Sequence, residues 1–428
     1  MSHHTFEIKN LTKVEARASL TIKLEGKEVK EANLKITEAS RYFEAMLRGR
    51  KYNEAASITQ RICGICSVAH TVASLKSVEH ALKIQPSENT IDLRKLLLIG
   101  GHLHSHVVHL YFLTLPDYLG FESILEMSDK KHDLVHRALR MEKLSTEIIR
   151  IIGGRPIHPV AADIGRFTDV PTKEKLEIML KKFKEMKNDA RKTAELFTSF
   201  KTPDLQNGAR QCALKKQGDY PLYDGIISTI DGFEFDPNDY KKHLTEYMKK
   251  YSTAINVRLD DERLMVGSLA RLNLNHQNLS DNAKKLLNSS GIKLPSYSPY
   301  VNNLAQAIET VHFVDRGIEI TEKLLSSNLK KEHVKIKPKG GVGRIAVEAP
   351  RGVLYHHYKL DKNGVIQYAN IITPTEQNTD SIEHDIMQLF PQISHLPKAK
   401  ITLELEKLIR SYDPCISCPT HFLEVKFD

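Results

Sequence analysis

Residues 61–70 read RICGICSVAH and residues 413–421 read DPCISCPTH, and these two stretches decide how the chain is organised. Each contains a CxxC pair, Cys63 with Cys66 and Cys415 with Cys418. A CxxC spacing lets two thiolates converge on one metal ion, because the two intervening residues form a tight turn. Two such pairs predict a four-thiolate site for a soft metal, which leaves zinc, an iron–sulfur cluster or nickel with iron.

The separation between the two pairs argues against a local structural staple. A zinc ribbon places its two pairs about 15–20 residues apart, whereas almost the whole of this 428-residue chain lies between Cys66 and Cys415. We expect a site that joins the two ends of a large protein to be buried at the centre of its fold. From spacing alone, a structural Cys₄ zinc site remains the alternative to a catalytic metal.

Length alone allows two to three average domains or one large domain built around a buried centre, and we expect a single large domain over residues 1–428. Hydrophobic residues make up 41% of the chain, and no run of 18 or more apolar residues is present. No membrane span is therefore predicted. The N-terminus lacks the apolar segment that a signal peptide needs, and we expect a cytoplasmic location.

The cysteines and the charge argue against two further classes of protein. Four of the five cysteines lie in CxxC pairs, which disfavours a disulfide framework and favours a reducing compartment. The fifth, Cys212, is predicted to be a plain buried or half-buried thiol. The net charge of +9 would suit nucleic-acid binding. Lysines, however, are interleaved with glutamates along predicted helices, as in residues 172–192, and this pattern indicates solvated helix faces.

Hydrophobic periodicity predicts an α+β fold that is predominantly helical, with a bundle of long helices at its centre. Alternating apolar and polar residues predict a β region at 5–36, and the strand RIAVEA with the turn DKNG predicts a small sheet near 344–372. Ser40 is expected to cap the first helix. Helices are expected at residues 41–49, 70–82, 89–115, 132–152, 171–200, 236–251, 303–328, 379–389 and 397–412, with irregular structure at 201–235.

The two cysteine motifs resemble those of the large, catalytic subunit of nickel–iron hydrogenases. RxCGxC near the start and DPCxxCxxH near the end carry the most specific part of this resemblance. It extends to RYFEAMLRGR (41–50), HLHSHVVH (102–109), EAPRG (348–352) and ITPTEQN (372–378), and it is weakest between residues 201 and 298. The resemblance implies reversible heterolytic cleavage of molecular hydrogen into protons and electrons.

The resemblance also implies a set of metal ligands. All four motif cysteines would bind nickel, and Cys66 and Cys418 would in addition bind an iron atom that carries carbon monoxide and cyanide. A further cation, magnesium or iron, would be held by the Glu44 carboxylate, the Ile371 carbonyl and His421. Oxygen ligands suit such a hard cation.

Catalytic roles follow from the same resemblance. Glu15 would accept a proton from Cys415, which binds nickel alone, as Cys63 does. Arg351 would lie over the open side of the metal pair. The stretch around Glu15 departs from the family's usual RIEGH pattern, and Ser105 stands where the family often has an aspartate.

Three further side chains would support these groups without binding a metal. His70 lies four residues after Cys66 and would hydrogen-bond a cysteine sulfur, with a core histidine satisfied by other partners as the alternative. Pro374 and Thr375 would stand beside an iron-bound cyanide, with Thr375 as a hydrogen-bond donor. The histidine-rich stretch 102–109 is interpreted as a structural part of a helix rather than as a metal site.

The cysteine count implies partner subunits, because only Cys212 is left over once the motifs are used. An iron–sulfur small subunit is expected to carry the electrons away. The chain resembles the cytoplasmic bidirectional group, so NAD(P) or sulfur and polysulfide are the expected acceptors, reached through diaphorase and further iron–sulfur subunits that hold any flavin. A hydrogenase coupled to a deazaflavin or a heterodisulfide reductase is the alternative. A maturation endopeptidase is expected to remove the tail at 422–428.

Overall fold

The structure, a computed structural model, describes residues 3–14, 18–26, 28–36 and 42–415. Glu15, Cys418, His421, Ser40 and the tail at 422–428 therefore lie outside the described residues. The described chain is α+β, with long helices packed together and small sheets beside them. The predicted fold class is confirmed.

Helices and strands follow one another in four stretches of the chain. The first comprises β1 (His3–Ile8), β2 (Ala18–Glu25), β3 (Glu28–Ile36), α1 (Phe43–Leu47) and α2 (Ala55–Thr59). The second comprises α3 (Ser67–Leu82), α4 (Glu88–Val107), α5 (Leu115–Leu119), α6 (His132–Gly153), β4 (Ala162–Asp163), β5 (Arg166–Phe167) and α7 (Lys173–Thr198). The third comprises β6 (Arg210–Lys215), β7 (Ile226–Thr229), β8 (Glu234–Phe235), β9 (Leu244–Met248), β10 (Ile255–Leu259), β11 (Glu262–Met265), α8 (Ser268–Asn275), α9 (Asp281–Ser289) and α10 (Val301–Ser326). The fourth comprises β12 (Gly341–Ala349), β13 (Gly352–Leu360), β14 (Ile366–Ile372), α11 (Pro374–Ile393) and α12 (Lys398–Ser411).

Four long helices, α4, α6, α7 and α10, pack against one another. Helix α4 contacts α6 and α10, and α7 lies against the same two helices. The stretch Glu88–Leu119 is long and apolar enough to cross a membrane, yet 83% of its most apolar 18-residue window is buried inside the protein. Such burial is what a helix at the centre of a bundle requires, because a helix that is apolar all round must be covered on every side.

The sequence predicts that the helix at 89–115 ends before Pro116, but in the structure the helical path continues past this proline. A π-helical turn, Val108–Thr114, connects α4 to α5, and Pro116 occupies the first turn of α5. The missing N–H group of a proline causes no loss at such a position, because the first N–H groups of a helix have no partner within it. The helical path therefore continues to Leu119.

The predicted helix at 236–251 is wrong, and the stretch 201–235, predicted as irregular, is irregular at 201–209 but contains the strands β6, β7 and β8. Residues 201–251 contribute most of a six-stranded sheet with the order β8-β7-β6-β11-β10-β9, in which β6 and β11 are parallel. The expected helix at 236–251 is instead a 3-10 turn, Pro237–Lys242, followed by β9. Strands of two to six residues are too short to give a clear period in the sequence.

The sheet β12–β13–β14 packs against α3, and two glycines make this contact possible. A Cβ atom on Gly341 or Gly343 would collide with the main-chain carbonyl oxygens of Ala81 or Ser77. The glycine-rich stretch before RIAVEA therefore allows a strand to approach a helix closely. This packing brings the turn between β12 and β13, which carries Arg351, to the beginning of α3.

Candidate metal centre

Three thiols converge where the two ends of the chain meet. Cys63 and Cys66 lie in the turn before α3, and Cys415 follows α12. The Sγ atoms of Cys63 and Cys415 are 3.5 Å apart, and the Cys66 backbone N–H donates to Cys63 Sγ across 3.3 Å. All three side chains are buried. The structure thus brings together three of the four predicted thiol ligands, and Cys418 lies outside the described residues.

Arg351 places a cation directly against these thiols. Its Nη1 donates to Cys66 Sγ across 3.0 Å, and its Nε donates to the Asp413 carbonyl across 2.7 Å. Its Nη2 lies 2.9 Å from Asp413 Oδ1. Burial lowers the pKa of the Arg351 guanidinium, but Asp413 and the cysteine sulfurs outweigh burial and hold the pKa above its ordinary value. Arg351 is therefore a permanent and immobilised cation.

The cysteines themselves need a cation to become thiolates. A hydrogen bond with Cys63, together with burial, raises the pKa of the Cys66 thiol, and Arg351 opposes this shift. Arg351 alone does not bring the pKa back to its ordinary value. A metal ion bound by these sulfurs would do so, because metal ligation deprotonates a thiol.

A side chain of the central helix bundle holds Asp413 in place. Gln306 on α10 donates to Asp413 Oδ2 across 2.9 Å. Gln306 Oε1 lies 2.6 Å from His109 Nδ1, and His109 Nε2 lies 2.7 Å from the Arg410 carbonyl. These buried contacts connect the π-helical turn that follows α4 with α10 and with the end of α12. The predicted structural role of the 102–109 histidines agrees with the partners that His109 has here.

Thr375 holds the second cysteine stretch in place. Its Oγ1 accepts the Cys415 backbone N–H across 3.0 Å. Helix α11 begins at Pro374, five residues before the predicted start at 379, and a capping box between Thr373 and Glu376 closes its first turn. Pro374 and Thr375 are both buried.

His70 lies in a chain of buried polar contacts. Its Nδ1 is 3.2 Å from His356 Nε2, and His356 Nδ1 is 2.6 Å from the Tyr358 hydroxyl, which donates to Ser74. The His70 backbone N–H donates to the Cys66 carbonyl across 3.2 Å, as expected if α3 begins directly after this cysteine. The imidazole is therefore fixed between α3 and β13, one helical turn from Cys66.

Carboxyl groups gather at a second place near β14. Glu44 Oε1 accepts the Ile371 N–H across 2.6 Å, and Asn370 Nδ2 lies between Glu44 and Glu246, at 3.3 and 3.0 Å. Burial, and then the Glu246 charge, raises the pKa of Glu44 to about 8. The same two causes raise the pKa of Glu376 well above its ordinary value. This place favours a bound cation, because a cation would relieve the repulsion among these carboxylates.

The two groups of donors fit different metals. Buried thiols suit a soft metal such as nickel, whereas carboxylate oxygens such as those of Glu44 and Glu246 suit magnesium. Within the described residues no three Cys, His, Asp or Glu side chains enclose a single metal position. Each expected set includes one residue beyond the described ranges, Cys418 in the first and His421 in the second.

Sequence reasoning assigned no role to Asp413 or Gln306. Asp413 lies within the DPCISCPTH motif, two positions before the expected ligand Cys415, and this position could have indicated a role at the metal site. Gln306 lies 107 positions from Asp413, and nothing in its local sequence marks it. Only the folded chain shows that it helps to hold Arg351 through Asp413.

A family model described as nickel-dependent hydrogenase matches residues 41–147 and 233–421. These ranges make up more than half of the chain and include both cysteine stretches. The chain belongs to the nickel-dependent hydrogenase family. It is the catalytic large subunit of a nickel–iron hydrogenase, as its motifs indicated.

Similar hydrogenases match the chain along nearly its whole length. The alpha subunit of sulfhydrogenase 1 from Pyrococcus furiosus is 34% identical over 420 residues, which are 98% of each chain. One subunit of the F420-non-reducing hydrogenase from Methanothermobacter thermautotrophicus is 30% identical over 449 residues, covering 97% of this chain and 94% of that one. The crystal structure of an NAD+-reducing NiFe hydrogenase in the H2-reduced state matches with a TM-score of 0.87 at 25% identity, over 98% of this chain and 99% of that chain. These relatives are subunits of larger hydrogenases, which implies a small-subunit partner for this hydrogenase chain too.

Proposed function

We propose that Cys63, Cys66, Cys415 and Cys418 hold the nickel–iron centre of this hydrogenase, and that hydrogen is cleaved beside Arg351. The observation that carries the proposal is the convergence of three buried thiols, one of which, Cys66, accepts a hydrogen bond from Arg351. All four sulfurs would bind nickel. Cys66 and Cys418 would also bind the iron atom, which would carry carbon monoxide and cyanide.

Residues around the metal pair would divide the chemistry among them. The metals held by these cysteines would bind and polarise molecular hydrogen. The Cys415 thiolate accepts the first proton, and Glu15 receives it on the way to solvent. Arg351 keeps its proton and donates a hydrogen bond to Cys66, so it stabilises negative charge on sulfur. Each hydrogen molecule yields two protons and two electrons.

Three neighbouring side chains would orient these groups. Thr375 accepts the Cys415 N–H with an oxygen lone pair, so its own hydroxyl proton remains for donation to a cyanide on the iron. Pro374 contributes an apolar wall on the same side. His70, fixed by His356, would direct its other ring nitrogen towards a cysteine sulfur and limit its movement.

A second cation would lie beside this centre. The Glu44 carboxylate, the Ile371 carbonyl and His421 would hold magnesium or an additional iron. The proposal is supported by the contact between Glu44 and the Ile371 peptide, and by the raised pKa of Glu44, which signals an unsatisfied need for positive charge. Because His421 belongs to the last motif, this cation would tie the C-terminal stretch to α1 and β14.

Electrons would leave through a small subunit that holds iron–sulfur clusters and would pass to NAD(P) or to sulfur and polysulfide. The similarity to the alpha subunit of a sulfhydrogenase and to an NAD+-reducing hydrogenase supports these acceptors. Diaphorase and further iron–sulfur subunits would hold the flavin and the NAD(P). We place the assembly in the cytoplasm. A maturation endopeptidase would remove residues 422–428 after His421, once nickel is bound.

The decisive experiment is metal analysis of the protein purified without oxygen from its native host. We expect about one nickel per chain together with iron. Zinc alone in this material would refute the nickel–iron site and support a structural Cys₄ site. Infrared spectra of the same sample would test the carbon monoxide and cyanide ligands, whose stretching bands should be present in the nickel-loaded protein.

A second experiment distinguishes the electron acceptors. The purified complex, supplied with hydrogen, is assayed separately with NAD+, with NADP+ and with polysulfide. Hydrogen-dependent reduction of at least one of the three is expected. Reduction of a deazaflavin alone would contradict the proposed acceptors while leaving the hydrogenase centre itself intact.

A further inference from the structure

We propose that Arg271 is a positioning residue for the hydrogenase reaction, because it holds the turn that carries Arg351. This inference rests on the role given to Arg351 in the proposed function. Arg271 lies on α8, and its guanidinium is fully buried, with 0% of its surface exposed. Arg351 lies in the turn between β12 and β13.

The guanidinium of Arg271 binds this turn through two carbonyl groups. Nη1 donates to the Ala349 carbonyl across 3.0 Å, and Nη2 donates to the Pro350 carbonyl across 2.9 Å. These two residues directly precede Arg351, and Ala349 pairs with Gly352 at the end of the hairpin. Hydrogen bonds from a charged donor are stronger than neutral ones. The turn therefore cannot rotate without breaking two strong contacts.

The turn also packs closely against the segment that precedes α8. Gly352 has a φ angle of +131°, and a Cβ atom there would lie 2.5 Å from Val266 Cγ2 and 2.9 Å from the backbone nitrogen of Gly267. Gly267 directly precedes α8, the helix that carries Arg271. The same segment therefore contacts the turn through the hydrogen bonds of Arg271 and through close packing against Gly352.

Arg271 is itself held rigidly. Its Nε and Nη2 donate to the two carboxylate oxygens of Glu309 across 2.7 and 2.8 Å, and its Nη1 donates to Glu348 across 3.0 Å. Glu309 also accepts from the Tyr220 hydroxyl and contacts His106. Burial alone would raise the pKa of Glu309, but Arg271 and His106 outweigh burial and hold the pKa well below its ordinary value. The charge that anchors Arg271 is thus permanent.

The contact between Arg351 and Cys66 depends on both ends of the Arg351 residue. Asp413 holds its guanidinium, and Arg271 holds the main chain from which the side chain extends. Movement of the turn would shift the Nη1 atom away from its 3.0 Å contact with Cys66 Sγ. A misplacement of about 1 Å near reacting groups costs up to roughly 100-fold in rate.

The test substitutes Arg271→Lys, which keeps the charge but replaces a planar fork by one ammonium group. Arg271 makes five of the hydrogen bonds described above, two to Glu309 and one each to Glu348, Ala349 and Pro350. An ammonium has only three donors and cannot reproduce all five. We expect turnover of the nickel-loaded complex to fall by about 10- to 100-fold. Because Arg271 acts through Arg351, the double variant Arg271→Lys/Arg351→Lys should be no slower than Arg351→Lys alone. If the two losses multiply, the inference is overturned.

Arg94 provides a matched control for general loss of stability. It is buried to the same extent and binds the Glu79 carboxylate, the Tyr223 hydroxyl and the Asp163 carbonyl. Arg94→Lys should lower the melting temperature as Arg271→Lys does, yet keep turnover and nickel content at the wild-type level. An equal fall in turnover for both variants would mean that any buried arginine matters, and it would overturn a specific positioning role.

A spectroscopic measurement separates positioning from activity. The electron paramagnetic resonance signal of nickel should shift in Arg271→Lys in the same direction as in Arg351→Lys. The signal should stay unchanged in Arg94→Lys. An unchanged signal in Arg271→Lys would overturn the inference. If Arg271→Lys does not fold, Gly352→Ala displaces the same turn without removing the charge network, and the same outcomes apply.

The same series distinguishes failure of the inference from failure of the proposed function. Arg351→Lys with wild-type turnover would refute the role of Arg351 in the proposed function, and the inference would fall with it. An impaired Arg351→Lys whose effect multiplies with that of Arg271→Lys would leave that role intact. In that case only the positioning role of Arg271 is overturned.

Discussion

The Sγ atoms of Cys63 and Cys415 lie 3.5 Å apart, although 352 positions separate the two residues in the chain. Cys63 belongs to the turn that leads into α3, and Thr375 at the start of α11 fixes the backbone of Cys415. Three separate parts of the sequence therefore meet at one pair of sulfurs. A metal bridging these sulfurs would add its binding energy to the stability of the folded chain.

Replacing Cys63 by serine should remove nickel from the protein. A serine hydroxyl is a hard and weakly acidic group, so it does not replace a thiolate as a ligand for a soft metal. We expect the nickel content per chain to fall at least about tenfold and the melting temperature of the purified protein to fall as well, since the binding energy of the metal is lost. Elemental analysis and calorimetry on the same preparation measure both effects.

Cys212→Ala is the matched control for the loss of a buried thiol. Cys212 lies on β6, is 2% exposed, and packs in an apolar cluster away from the other three described cysteines. Burial raises the pKa of this thiol, which makes it a poor metal ligand. The substitution should cost roughly 1 kcal/mol through the small cavity that it leaves, and nickel should remain. Nickel loss in Cys212→Ala, or full nickel in Cys63→Ser, would contradict the assigned ligands.

Thr375→Ala should loosen the second cysteine stretch. The substitution leaves the Cys415 N–H, now 3.0 Å from Thr375 Oγ1, buried without its acceptor. Such a loss costs about 1–3 kcal/mol, so a chelator should remove nickel faster from this variant than from the wild type. Thr375→Ser keeps the hydroxyl and should restore the wild-type rate. Equal rates for Ala and wild type would show that this hydrogen bond does not hold the site.

Stability should depend on pH through Glu348. Burial raises the pKa of this carboxyl from 4.5 to about 7, with Arg271 opposing the shift. The folded chain then binds a proton that the unfolded chain has released, so the free energy of unfolding falls as pH rises from about 4.5 to about 7. The total change attributable to Glu348 is about 3 kcal/mol. It is measured by guanidinium unfolding of the metal-free chain at several pH values.

Glu348→Gln should flatten this pH dependence, because the amide does not titrate. Its oxygen can still accept the Leu214 N–H that Glu348 accepts across 2.7 Å. Relative to the wild type, the variant should therefore gain stability as the pH increases from 5 to 8. Parallel curves for the two proteins over this range would show that Glu348 does not titrate there.

The sequence was sufficient to predict that Cys415 meets Cys63 and Cys66, because both partners of that contact lie in a recognisable motif. The contacts that hold the residues around these cysteines join side chains that lie far apart in the sequence. Arg351 contacts Asp413, which is 62 positions away in the sequence, and Arg271 contacts Glu348, which is 77 positions away. No spacing rule links residues so far apart, and each side chain alone has the character of an ordinary surface arginine or acid. Their roles follow from burial, which only the folded chain shows.

The fold was predictable where elements are long and periodic. The bundle helices α4, α6, α7 and α10 begin or end within a few residues of the predicted positions. The six-stranded sheet was missed because its strands are short and because β6 pairs with β11 in parallel over a long connection. Pairing of that kind is decided by tertiary packing rather than by the local preference of a short segment.

Glu15→Gln should slow the proton-coupled part of the reaction. The chain just before Glu15 is anchored to α12, since Thr12 donates from both its N–H and its hydroxyl to Glu406 across 3.0 Å. Helix α12 leads directly to Cys415, the expected first proton acceptor. Loss of a general base typically costs about 100-fold or more, so exchange between hydrogen and deuterated water should fall by that factor while nickel content stays constant. Glu7→Gln, an exposed carboxylate on β1, is the control and should exchange at the wild-type rate. Wild-type exchange in Glu15→Gln would place the proton route elsewhere.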